Sequence, residues 1–379
     1  MARRFRGTAL VAVVILVLAA CSSKEGGTAG GQASTSGGTA CPAGPLPART
    51  GGAAPQGAKG GIAFATTIKP SDTSSSTVIN PTGAQIECGK TKLTAHNDVV
   101  YSAPAVNGQK AELKLDLQVP DTAGAKPLVV YITGGGFSNA TKTANLDQRT
   151  YVAEQGYVVA SIEYRTTTTG ATYKEGLADV KSAIRFLRAH ADEYGIDPGK
   201  VAVWGQSAGG YLAAMAGATN GTKQFDVGDN LDQSSDVQGV VDEFGPSDLS
   251  KLAADFDQAA QDVNYAQGNF LAKWVYGSGT KKSVKDPTPE VAAANPISYL
   301  SSKTSPFLLL HGSADRSVSP SQTLLLHNAL RSKGIDSTRY VLTGADHGDL
   351  SFTGDTKSGK PWSTQETMNH IVAFLNGLS

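Results

Sequence analysis

Ser207 stands in Val201-Ala202-Val203-Trp204-Gly205-Gln206-Ser207-Ala208-Gly209-Gly210. An apolar, β-branched run stops at Gly-x-Ser-x-Gly and passes into small helix formers, Tyr211 to Ala218. The pattern predicts a strand, a sharp turn and a helix. Such a turn strains the serine backbone, and only glycines on both sides leave room for it. The hydroxyl is then held at a helix N-terminus, where developing negative charge is stabilised. These are the requirements of a nucleophile. The plain alternative is a tight turn with an inert serine.

A serine hydroxyl needs a base, and the base needs an orienting acid. For nucleophiles on strand-turn-helix elbows both partners follow in the chain, acid first and histidine second. Of six histidines, His96 and His190 precede the serine. His327 and His370 fall within helical patterns, Gln322–Arg331 and Thr364–Leu375, and read as surface or packing residues. His311 follows Phe307-Leu308-Leu309-Leu310 and reads as a structural residue at a strand end. His347 remains, in the glycine-flanked loop Gly344-Ala345-Asp346-His347-Gly348-Asp349 after the strand Thr338–Leu342, and is taken as the base. The acid is Asp315, between a buried-type strand and a helix from about Ser319 to Lys333, because active-site loops lie at the carboxyl ends of strands. Asp248, after the strand Val237–Phe244, is its rival. Asp346 and Asp349 read as solvated loop charges.

The tetrahedral oxyanion needs preorganised donors. The strand Lys126–Ile132 runs into Thr133-Gly134-Gly135-Gly136-Phe137. Three glycines after a strand let peptide N–H groups converge on one point. Gly135 and Gly136, with Ala208, are expected to supply them; a flexible hinge is the alternative.

The elements that must position these residues alternate along the chain. Tyr157–Ile162 precedes a helix over Leu177–Tyr194, Val201–Trp204 precedes Ala208–Ala218, and Phe307–Leu310 precedes Ser319–Lys333. Alternation of this kind predicts a mostly parallel sheet with helices on both faces. Asp98–Ser102 and Ala111–Val119, around the turn Asn107-Gly108, read as an antiparallel edge. A segment from Asp248 to Asn295 carries Phe256, Tyr265, Phe270, Trp274 and Tyr276 and is placed where a substrate-facing lid would sit; helical packing on the domain's side is the other reading.

Several motifs occur in one order: Thr133–Phe137, Gly156–Arg165, Asp179–Arg188, Tyr194–Pro198, the serine elbow, Phe244–Leu249, Asn295–Tyr299, and the acid and base loops. In this the chain from about Asp98 to Leu378 resembles the bifunctional acetyl/feruloyl-esterase-like branch of the α/β-hydrolase superfamily, close to the hormone-sensitive-lipase-like esterases. The resemblance implies an α/β-hydrolase fold, carboxylic-ester hydrolysis by a serine, aspartate and histidine triad, and no cofactor. Two departures stand out. Thr133 replaces the histidine that usually opens the glycine loop. Thr166-Thr167-Thr168-Thr169-Gly170 follows Arg165 where the family often has Leu-Ala-Pro; in relatives this segment borders the acyl or alcohol pocket.

The chain has 379 residues, with 33 basic and 33 acidic side chains. Balanced charge gives no case for nucleic acid as a partner. Arg3, Arg4 and Arg6 precede the apolar run Ala9–Leu18, which reads as a secretory signal. Leu18-Ala19-Ala20-Cys21 resembles a bacterial lipobox, which implies a signal over 1–20, a lipid on Cys21 and a membrane anchor facing the extracytoplasmic side. The Arg3-Arg4 pair leaves twin-arginine export as an alternative to the general route. Gly, Ser, Thr, Ala and Pro over 21–60 read as a flexible tether. The catalytic domain is expected over 61–379, with an N-terminal extension over 61–97. Cys41 and Cys88, an isolated pair in an exported chain, are expected to be bridged. No metal-ligand spacing is found, and Asp226, Asp229, Asp232 and Asp236 lack a calcium-loop pattern.

The reading is therefore an envelope-anchored serine esterase acting on a small-molecule ester, short-chain or carbohydrate-linked. A prolyl-oligopeptidase-like peptidase and a noncatalytic envelope binding protein on the same fold are the alternatives. The threonine run predicts short acyl groups, acetyl to hexanoyl, over long chains.

Overall fold

The computed structural model describes residues 38–44, 61–106, 108–349 and 360–378. The signal, Cys21 and most of the tether lie outside the described residues. In chain order the main sheet strands are β1 (Thr77–Ile79), β2 (Leu93–Ser102), β3 (Leu113–Pro120), β4 (Lys126–Ile132), β5 (Val158–Ile162), β6 (Ile196–Gln206), β7 (Gly239–Glu243), β8 (Phe307–Gly312) and β9 (Ser337–Leu342). They form one nine-stranded sheet in the order β1-β9-β8-β7-β6-β4-β5-β3-β2. Every neighbouring pair is parallel except those made by β3, which runs antiparallel to both β5 and β2. β6 lies near the centre, with Trp204 opposite Tyr131 on β4 and Val241 on β7.

Apolar side chains alternate between two cores. Leu128, Val130 and Ile132 of β4 point into one, with α2 (Tyr173–Ala189) and α4 (Ala208–Ala218). Val129 and Tyr131 point into the other, with α1 (Leu146–Glu154) and the C-terminal helix Gln365–Asn376. Because both faces are covered, the central strands are apolar throughout rather than alternating with polar residues. This is the α/β-hydrolase architecture expected from the sequence.

Several boundaries differ. α2 begins at Tyr173 rather than Leu177, because Thr172 and Glu175 make a capping box there. It stops at Ala189, and a separate turn, α3, covers Ala191–Tyr194. The edge strand β2 starts at Leu93 rather than Asp98, which instead sits at a bulge with φ 57°. β1, inside the N-terminal extension, joins β9 in parallel and was not expected. Residues 38–44, within the segment read as tether, are held to the domain: Thr39 and Ala40 pair with Cys88 and Glu87, and Cys41 is bonded to Cys88.

The insertion after β7 is mostly packing, contrary to the lid reading. It contributes α5 (Gln258–Asn264), α6 (Phe270–Tyr276) and α7 (Pro289–Ala293). Phe256, Tyr265 and Trp274 are buried in the core. Trp274 is wholly buried and stacks on Phe137 of the glycine loop, 4.7 Å between ring centres. Replacing a buried aromatic of this size with alanine typically removes about 3–5 kcal/mol, so Trp274 is a buttress. Tyr276 takes Lys282 over its ring and meets Thr288. Phe270 alone of the five lines the cavity at Ser207.

Candidate active site

β6 delivers Ser207 and α4 begins at the next residue. Ser207 has φ 56° and ψ −121°, a strained combination for a residue with a Cβ. The glycines around it are required by contact. A Cβ on Gly205 would stand 2.1 Å from the Gly209 carbonyl oxygen, and one on Gly209 would stand 1.9 Å from that of Ile132. The Ser207 N–H donates to the Glu243 carbonyl at 2.9 Å, tying the elbow to β7.

Asp315 arrives from the loop after β8 and His347 from the loop after β9. Ser207 Oγ lies 2.8 Å from His347 Nε2. His347 Nδ1 donates to Asp315 Oδ2 at 2.8 Å, which fixes the tautomer and turns the lone pair of Nε2 toward the serine hydroxyl. Asp315 Oδ1 accepts the N–H groups of Ser317 and Val318 at 2.8 and 2.9 Å. The carboxyl is wholly buried. Burial alone would push it up, but the His347 imidazole, with hydrogen bonds from His311 and His347, holds it well below the usual carboxylate range. It therefore stays ionised beside the base.

The glycine loop closes over the same point. Gly136 (φ 58°) and Ala208 line a cavity with Ser207 and His347, together with Ile62, Phe137, Pro246, Leu252, Phe270, Ser317 and Val318. Among the described residues, the N–H groups of Gly135, Gly136 and Ala208 make no hydrogen bond. Gly135 (φ 154°), the preceding residue, is not among those lining the cavity, and its carbonyl accepts from Ser138 and Asn139. Where the sequence has Thr133, Tyr164 supports the loop by donating to its carbonyl at 2.9 Å.

The rival acid is elsewhere engaged. Asp248 Oδ1 caps a short helical turn by accepting from Ser250, and its other oxygen pairs with Lys251. Asp346 and Asp349, read as solvated charges, brace the base loop. Asp346 pairs with Arg316 at 2.7 Å and accepts the His347 N–H. Asp349 accepts from the Trp362 N–H and from Ser363, and burial raises it to about 7. The sequence offered one unused cue: Arg316 adjoins the acid and Asp346 adjoins the base, so the two loops meet by a second pair beside the first. Phe244 also escaped notice. Its ring lies 4.6 Å from the His347 ring and 4.5 Å from Trp362. His311 is not merely a strand end; its Nε2 lies 3.2 Å from Asp315 Oδ2.

The remaining histidines stand apart. His190 meets Glu193, His327 meets Ser337 and the Ser75 carbonyl, and His370 stacks on Tyr340. Asp226 is taken by Lys181, Arg185 and Lys223. No cluster of metal-ligating side chains is present among the described residues.

Comparison with known proteins finds esterases among the chain's relatives. The chain is 30% identical over 255 residues to esterase LipC of Mycobacterium tuberculosis, matching 66% of this chain and 58% of that protein. It is 27% identical over 274 residues to isoprenylcysteine alpha-carbonyl methylesterase ICME of Arabidopsis thaliana, matching 72% and 61%. It thus spans less than two thirds of either relative's length. A truncated carbohydrate esterase from gut microbiota superposes with a TM-score of 0.63 at 24% identity, covering 78% of this chain and 98% of that one. The sequence model of the BD-FAE family matches residues 115–330, from β3 through the acid loop, and the chain belongs to that α/β-hydrolase esterase family.

Proposed function

We propose that this protein is a serine carboxylic-ester hydrolase for short-chain or carbohydrate-linked esters, exported and anchored in the cell envelope through a lipid on Cys21. The observation that carries the catalytic part is the 2.8 Å contact of Ser207 Oγ with His347 Nε2 inside a cavity walled by Gly136 and Ala208. His347 takes the serine proton as Oγ attacks the ester carbonyl, and Asp315 stabilises the imidazolium that forms. The uncommitted N–H groups of Gly136 and Ala208, with Gly135 next to Gly136 in the chain, receive the oxyanion; one such donor typically supplies about 3–4 kcal/mol. His347 then gives its proton to the departing alcohol. Water, activated by the same imidazole, releases the acyl group from Ser207.

The size of the site favours small acyl groups. The cavity at Ser207 has a volume of about 20 Å³, close to the room one water needs. Export is supported by the basic, apolar N-terminus ending at Leu18-Ala19-Ala20-Cys21 and by the Cys41–Cys88 bond, which belongs to an oxidising compartment. Among the described residues no helix is long and apolar enough to cross a membrane.

The test is turnover of purified protein on p-nitrophenyl esters of increasing acyl length, with a feruloyl ester and acetylated xylan alongside. Ser207→Ala is expected to lower turnover by about 10³–10⁶-fold in a folded protein. Unchanged turnover in that variant removes the esterase reading. Mass analysis of the native membrane fraction tests the anchor, which requires acylated Cys21 as the first residue.

A further inference from the structure

A second cavity adjoins the one at Ser207. Its volume is about 220 Å³, and it is lined by Gly61, Ile62, Gly136, Ser138, Thr167, Thr168, Phe270 and Lys273. Ile62, Gly136 and Phe270 are shared with the nucleophile's cavity, so these three residues divide the two spaces, and a substrate that passes them reaches from Ser207 into the larger one. The partition is held in place. Asn264 donates to the Ala63 carbonyl at 3.0 Å, and the Ala65 N–H donates to the Arg316 carbonyl at 2.9 Å. Ile62 reaches so close that a Cβ on Gly136 would stand 2.8 Å from its Cδ1.

The polar wall has a definite hydrogen-bonding character. Ser138 Oγ donates to the Gly135 carbonyl, Thr167 Oγ1 to the Phe137 carbonyl, and Thr168 Oγ1 lies within reach of the Ser138 carbonyl and Thr166. Their protons are committed inward, so towards the cavity these oxygens are acceptors. Lys273 is the opposite. It is half-buried, and its ammonium makes no hydrogen bond or ion pair among the described residues. A ligand that fits must bring hydroxyl donors for the threonine and serine oxygens and a negative charge for the lysine.

We propose that this cavity is a subsite for a hydroxyl-bearing, anionic part of the ester, of the kind a sugar acid presents, with Lys273 as its charge-reading residue. The proposal rests on the esterase reading and names the substrate class within it. The anion can belong to the alcohol or to the acyl part, and the two are separable. Acetylated glucuronic acid against acetylated glucose places the charge on the alcohol. p-Nitrophenyl hemisuccinate against p-nitrophenyl butyrate places it on the acyl group.

The wild-type protein is expected to favour the charged member of one pair by about tenfold in kcat/KM, as a partly desolvated charge-assisted hydrogen bond provides. Lys273→Met should bring that ratio close to one, Lys273→Arg should keep most of it, and added salt should reduce it in the wild type. A thermal unfolding scan of each variant separates misfolding from lost recognition. Titration of folded Ser207→Ala with glucuronate and with glucose, followed by NMR, reads the subsite without turnover. Glucuronate should bind and glucose should bind more weakly, with the difference lost when Lys273→Met is added. Ratios near one in both pairs, or ratios unchanged by Lys273→Met, overturn the subsite while leaving the esterase intact. No turnover of any ester overturns the esterase reading, and the NMR titration still decides the subsite.

Discussion

His311 and His347 share one oxygen of Asp315: His347 Nδ1 lies 2.8 Å from Oδ2 and His311 Nε2 lies 3.2 Å from it. His311 is wholly buried, and its Nε2 also faces the Val318 carbonyl at 3.1 Å. With two acceptors around it, that nitrogen carries the proton. Nδ1 then accepts from Thr323 Oγ1 at 3.0 Å, and Thr323 in turn accepts from Arg339 Nε at 3.0 Å. A line of donors from β9 thus ends on the triad's acid.

His311 is accordingly a positioning residue. His311→Ala is expected to lower kcat about tenfold with little change in KM, besides lowering the thermal midpoint. Loss of a buried hydrogen bond to a charged group, about 1.5–3 kcal/mol, underlies both effects. His311→Gln, which can return an N–H to the same place, should recover part of kcat. A variant with full kcat in its folded fraction and only a lower midpoint would reduce His311 to packing.

The hydrogen-bonded set Ser207, His347 and Asp315 was legible because each member sits in a locally recognisable setting. Ser207 lies between contacts only glycine tolerates, the Asp315 loop follows the apolar strand Phe307–Gly312, and the His347 loop is marked by the glycines on either side of it. What escaped was mostly made between loops. The Arg316–Asp346 pair joins residues thirty positions apart, and its one cue, that each adjoins Asp315 or His347 in the chain, shows only once those two loops are known to meet. β1 has three residues, too few for a periodicity to show. Trp274 looked like a lid aromatic because composition does not say which way a ring points; stacking on Phe137 turned it inward. Ile62, in a stretch without periodic pattern, gave no signal.

Stability should fall as the pH rises from about 4 to about 8. Asp242 and Glu243 are wholly buried beside the elbow, and burial raises them to about 7 and about 8 respectively. Gly245 N–H supports one oxygen of Asp242; Trp204 and Gln206 support one of Glu243. A carboxyl raised in the folded state adds stability at low pH, which is lost as the pH climbs through the folded value. The slope from each is up to about 1.4 kcal/mol per pH unit. Asp315 works in the opposite sense, adding stability above the ordinary carboxylate range that is lost on further acidification. Thermal midpoints measured over about pH 3 to 9 should therefore peak near the ordinary carboxylate value of about 4, and Glu243→Gln should flatten the alkaline decline. An alkaline decline equally steep in Glu243→Gln would show that Glu243 is not its source.

Reduction of the Cys41–Cys88 bond should lower the thermal midpoint without abolishing ester turnover. The two cysteines are 47 positions apart, and constraining a loop of that length stabilises by about 4 kcal/mol in the chain-entropy model. The actual loss should be smaller, because Cys41 directly follows the two-residue strand Thr39–Ala40, whose release need not unfold the main sheet. Unfolding scans with and without reductant measure it, and an unchanged midpoint would show that the bridge constrains nothing that matters to unfolding.

Acyl-chain preference should be set by Ile62. It walls the small cavity at Ser207 from the larger polar one, and Thr167 and Thr168 line the space beyond. A long acyl chain must either displace Ile62 or run along threonines, and neither offers an apolar wall. Each methylene gains about 0.8 kcal/mol only where such a wall receives it. Wild-type kcat/KM is therefore expected to peak between acetyl and hexanoyl. Ile62→Ala opens the partition, leaving Leu252, Phe270 and Val318 to flank a wider channel. It should move the optimum to longer chains, by up to about fourfold per added methylene over the first few. The measurement is kcat/KM over acyl chains of about two to sixteen carbons in both proteins. A wild-type maximum at about twelve carbons or more would mean that the strap bearing Ile62 moves aside during binding, so that the partition does not limit the acyl group.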